Sequence, residues 1–137
     1  MSLVVRRMRI AFMAGLTVVF GATCPVQAQS LGLPPSAAKL RFWASGDCIN
    51  TGKYVGFDYA RALERAINKE STGLVELFRF TVTAGFDGAA AEGHSAILLG
   101  LLQRWGDRPF SRVLRAQKGP VRKAVIDAIW YAFPYPT

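Results

Sequence analysis

Cys48 and His94 are the side chains with which this chain could do covalent chemistry. A thiol beside an imidazole makes a nucleophile and its base, suited to acyl transfer or peptide cleavage with the thiolate attacking. His94 is the single histidine and stands in DGAAAEGHS, where Asp87 and Glu92 could join it around a metal ion. The spacing argues against both chemistries. There is no HExxH, no Cys–His ligand spacing and no third group to orient a dyad. Asp87 reads as a helix cap, and Glu92 with His94 as residues of a solvated helix start. Cys48, in SGDCINTG, reads first as a buried apolar filler, then as a thiol for an intermolecular disulfide, and last as a nucleophile. Gly-rich phosphate loops, paired catalytic carboxylates and Ser-centred elbows are absent. No catalytic residue, metal or cofactor is expected, and a small hydrolase using Cys48 and His94 is the alternative.

Charge is the sharper feature. Between Arg104 and Lys123 stand Arg104, Arg108, Arg112, Arg115, Lys118, Arg122 and Lys123, against the single acid Asp107. The first four recur at steps of four, four and three, a spacing that could align them along one side across a turn. Such a stripe suits an acidic protein, a phospholipid head group or an anionic envelope polymer. The competing reading is a solvated polar face with no partner at all.

The elements that must position these residues are helical. Ile97, Leu98, Leu101, Leu102 and Trp105 share one face, Phe110, Val113 and Leu114 a second, and Val121, Ala124, Val125, Ala128, Ile129 and Ala132 a third. Gly106 closes the first segment, Asp107 and Pro109 open the next, and Gly119-Pro120 repeats the stop and start. Three consecutive helices with tight turns are expected from Ile97 to Trp130. Upstream, Phe57, Ala60, Leu63 and Ile67 form one helical face. Leu74, Leu77, Phe78 and Thr81 form another, with Ser71 or Thr72 as its cap. The β-branched end of that segment, Phe80-Thr81-Val82-Thr83, belongs to the helix, because four residues with no partner run cannot build a sheet. Gly85 to Gly88 reads as a turn, and Gly93 falls inside a helix or at a break. Residues 29–56 carry Pro34-Pro35, Gly46, Gly52 and Gly56, so an irregular or short-helical arm is expected, held by Leu40, Phe42 and Trp43.

Residues 1–28 read as a cleaved export signal. Arg6, Arg7 and Arg9 precede an apolar run from Ile10 to Ala22 that is short for a bilayer span, and Val26-Gln27-Ala28 offers a cleavage site before Gln29. Gly21 and Thr23 do not make a lipobox ahead of Cys24. The remaining part, about 109 residues, keeps 14 basic side chains against nine acids once the three arginines of the signal are removed, a net +5. Cys48 is then its one cysteine, so no internal disulfide can staple it and the apolar core must suffice. A periplasmic or secreted chain does not meet nucleic acid, and no membrane span is expected after cleavage.

Leu74, Leu77 and Phe78 recur as Phe110, Val113 and Leu114 after 36 residues, and Leu63 and Ile67 as Leu101 and Trp105 after 38. Over Ile97 to Trp130, LLGLLQRWGD resembles the end of a first helix and the turn of HEAT-like repeats, and VRKAVIDAI the opening of a following helix. The resemblance implies a small stack of helical hairpins that binds partners and rarely catalyses. Together these readings give an all-α domain over 57–137 of about five helices, behind the arm 29–56. They assign it a binding function toward a protein or an anionic envelope surface.

Overall fold

The computed structural model describes residues 33–85 and 88–133, and these are all-α. The export signal, its cleavage site, Asp87 and the tail from Pro134 lie outside the described residues. Among the described residues seven helices form, two more than the apolar periodicity announces, because the arm contributes two: α1 (Ala37–Ala44) and α2 (Asp47–Tyr54). Ser36 caps α1 by accepting from the Lys39 amide at 3.2 Å, and Gly46, at φ +81°, makes the turn into α2. Both pack on the later helices, so the helical unit starts at Pro34 and not at Phe57.

Next come α3 (Tyr59–Ile67) and α4 (Ser71–Thr83). Asp58 caps α3 through the Arg61 amide at 3.0 Å. The buried face of α3 is Tyr59, Ala62, Leu63, Ala66 and Ile67, while Ala60 is exposed and Phe57 precedes the helix. The apolar stripe read from Phe57 and Ala60 was therefore displaced: Tyr59 supplies the inward aromatic. The β-branched end of α4 is helical. Ser71 and Thr72 do not cap that helix; Glu70 occupies the position, with no side-chain cap bond.

The long α5 (Gly88–Trp105) is the hub, touching α1, α2, α3, α6 and α7. Gly93 lies within it without a break, and a side chain there would crowd Cys48 Sγ and the Trp43 carbonyl. Ile97, Leu98 and Leu101 are fully buried, and Trp105 donates from Nε1 to the Ala66 carbonyl at 2.8 Å, tying the end of α5 to that of α3. Gly106 (φ +81°) then turns the chain into α6 (Asp107–Arg115), and Lys118 leads into α7 (Gly119–Ala132) with Pro120 in its first turn. Phe110, Leu114, Val125 and Ile129 complete the core as their spacing requires. Phe42 does not join the knot expected with Leu40 and Trp43: it is 75% exposed, on the outer side of α1. No helix among the described residues is long and apolar enough to cross a membrane.

Candidate functional site

The basic stripe divides by what its members touch. Phe110 and Leu114 anchor the inner face of α6, Phe110 edge-on to Phe78 at 5.1 Å, so Arg108, Arg112 and Arg115 point outward and are exposed. Arg122 turns back from α7 and donates through Nη1 to the Arg115 carbonyl at 3.2 Å and the Gln117 carbonyl at 3.1 Å. It thereby closes the C-terminal end of α6, where unpaired carbonyls and the helix dipole favour a cation. Lys123 pairs with Asp127 at 2.6 Å, an exposed one-turn pair that contributes little to stability. Arg104 leaves the stripe altogether: it is half-buried and donates to the Pro35 carbonyl at 3.3 Å. Arg108, Arg112 and Lys118 make no side-chain hydrogen bond or ion pair among the described residues.

Between α6 and α7 runs an open groove of about 570 Å³, lined by Asp107, Arg108, Ser111, Leu114, Arg115, Arg122 and Ile126. Three guanidiniums and one carboxylate stand around an apolar floor of Leu114 and Ile126. The size falls in the range of ligand-binding clefts, about 300–1,000 Å³. Below Ile126 the outer face of α7 continues with Trp130, 69% exposed, whose ring meets Phe133 at 5.6 Å. The sequence carried a signal for these two side chains. The inward set Val121, Val125, Ala128 and Ile129 leaves Ile126 and Trp130 on the solvent side of the same helix.

Cys48 and His94 do come into one cluster, and it is buried. His94 is 1% exposed and lies between α3 and α4, so it is not part of a solvated helix start; Glu92, two residues earlier, is the exposed one. Thr81 Oγ1 donates to the Leu77 carbonyl at 3.0 Å, which leaves its oxygen to accept from His94 Nε2 at 2.9 Å. Nδ1 then accepts from the Tyr59 hydroxyl at 2.7 Å. The same hydroxyl lies against the Cys48 thiol, whose sulfur donates to the Ala90 carbonyl at 3.6 Å. Burial pushes His94 down to about 3 and the Cys48 thiol up to about 11. Nucleophilic catalysis needs the opposite, a thiolate and an imidazole able to carry a proton. Tyr59 and Thr81, which satisfy the ring, were not visible as partners because they lie 35 and 13 residues away in the chain.

One consequence is measurable. At pH 8 the rise from 9.0 to about 11 lowers the thiolate fraction of Cys48 about a hundredfold relative to an ordinary thiol, before any steric protection. Alkylation by iodoacetamide is expected to be at least that much slower in the native protein than in urea, and equal rates would show that Cys48 is accessible. Among the described residues no three His, Cys, Asp or Glu side chains are grouped to hold a metal ion. The chain matches no family model, no curated protein and no solved structure.

Proposed function

We propose that this chain is an exported binding protein and that the groove between α6 and α7 receives an anionic partner, a protein or an envelope component. The observation that carries the reading is the groove itself, with Arg108, Arg115 and Arg122 around a floor of Leu114 and Ile126. Positive potential over such a concavity raises the local concentration of anionic partners and speeds encounter. The apolar floor adds burial that a merely solvated face does not offer. Export is supported by the arginines, apolar run and Val26-Gln27-Ala28 site at the start of the sequence. A HEAT-like kinship rests on the sequence segments LLGLLQRWGD and VRKAVIDAI. The buried, charge-suppressed state of Cys48 and His94 supports binding over hydrolysis.

The test is the triple change Arg108→Ser, Arg112→Ser and Arg115→Ser. All three side chains are exposed, so each is expected to alter stability by no more than ~0.5 kcal/mol. Arg122 is left in place because it holds the end of α6. Affinity capture from an envelope fraction should lose its partners and its salt dependence together, since steering charges are screened over ~8–10 Å at ordinary ionic strength. A folded triple variant that captures the same partners with the same salt response removes the groove from consideration.

A further inference from the structure

The occupant of the groove can be specified more closely, on the premise that the groove is the binding surface. Arg122, Ile126 and Trp130 follow one another at steps of four along α7, so a single row runs from the Arg122 guanidinium to an exposed indole. At 1.5 Å per residue the row spans about 12 Å. On the opposite wall Arg108 and Arg115 are seven residues apart, about 10 Å along α6. The groove thus carries guanidiniums along both walls over an apolar floor, and the α7 row continues past it to an exposed indole.

Three classes of occupant meet this shape differently. A second copy of the chain would set Arg122 and its neighbours against the same arginines, and like charges oppose that pairing. The chain's two terminal segments outside the described residues offer no acidic side chain: residues 1–32 and 134–137 contain no Asp or Glu. A bilayer surface is anionic but flat, and does not reach a floor formed by Leu114 between two helices. A peptide segment fills a groove, pairs carboxylates with guanidiniums in two-bonded geometry, and can extend an apolar side chain to Trp130.

We infer that the partner of this face is a protein segment that combines acidic residues with a bulky apolar residue, its carboxylates on Arg108 and Arg115 and its apolar anchor against Ile126 and Trp130. Arginine and tryptophan are the side chains that most often dominate such interfaces.

The probes are a displayed library of random dodecapeptides and vesicles of phosphatidylglycerol with phosphatidylethanolamine, each tested with the wild type, Arg108→Ser/Arg115→Ser and Trp130→Ala. Trp130 is exposed, so its truncation leaves the core untouched. Enriched peptides should combine Asp or Glu with a bulky apolar residue. Their affinity should fall about tenfold or more in each variant. Salt dependence should flatten in the arginine variant alone. No enrichment, enrichment without acids, or peptide binding indifferent to Trp130→Ala overturns the inference. Vesicle binding that depends on the arginines, with no peptide enriched, also overturns it but leaves the anionic groove standing. If the arginine pair changes neither probe, the groove reading falls as well.

Discussion

Lowering the pH from 7.5 to 5.0 is expected to remove about 2 kcal/mol of folding stability through His94 alone. The ring has an ordinary value of 6.5 and is held at about 3 in the native protein by burial. Between those values the unfolded chain binds a proton that the folded chain refuses, so stability rises with pH across this window. It is complete above 6.5 and is lost as pH falls, by about 1.4 kcal/mol per unit until the folded value is approached. The hydrogen bonds point the same way. Nδ1 accepts from Tyr59 and Nε2 donates to Thr81, so a second ring proton would face the Tyr59 hydroxyl proton and force it to turn.

The assignment is clean because His94 is the chain's single histidine. Carboxylates begin to matter lower down. Glu64, for example, is held below its ordinary 4.5 by its hydrogen bond to Arg41, and it sheds stability only in more acid solution. Urea unfolding at pH 7.5, 6.0 and 5.0 should show the decline, and His94→Gln should flatten it whatever its own stability. Equal free energies at pH 7.5 and 5.0 in the wild type would mean that the ring is protonated in the fold or exposed.

The helices were legible where one face is strictly apolar. Leu101 and Val125 are buried as their spacing demands, and Gly106 takes the positive φ expected of a helix stop. Periodicity failed where a helix is too short to display a period. Each of α1 and α2 has eight residues, about two turns, and the apolar pattern of DCINTGKY is set by Cys48 and Gly52, neither a strong hydrophobic signal. The inward position of His94 was hidden for a related reason. Polar residues are placed outside by default, and only knowledge of Tyr59 and Thr81 across the core would have placed this one inside. The stripe was legible as charge but not as geometry. Sequence spacing cannot tell that Arg104 is anchored to Pro35 or that Arg122 closes α6, since both depend on how the segments return on one another.

Gly73→Ala is the other change expected to have a large effect, about 3 kcal/mol or more of destabilisation from the addition of a single methyl group. Gly73 lies in the first turn of α4, where α4 crosses α3, and it is buried. A Cβ there would stand 2.6 Å from the Ala62 carbonyl oxygen, 2.6 Å from the Ala66 amide nitrogen and 2.5 Å from the Arg65 Cβ. Two of those neighbours are backbone of a helix, so no rotamer change relieves them and α3 must move as a body. It is not free to do so. The carbonyl of Ala66 holds the Trp105 indole, and Leu63 and Ile67 are packed in the core. Helix propensity would favour alanine over glycine by about 1 kcal/mol, which the clash exceeds. Gly119→Ala provides the contrast. Gly119 opens α7, and an added Cβ there meets nothing nearer than the Arg122 guanidinium at 4.0 Å. That change should be neutral or stabilising by up to about 1 kcal/mol. Thermal or urea unfolding of the two variants side by side separates steric cost from propensity: equal stability for Gly73→Ala and Gly119→Ala would show that α3 and α4 do not approach as closely as described.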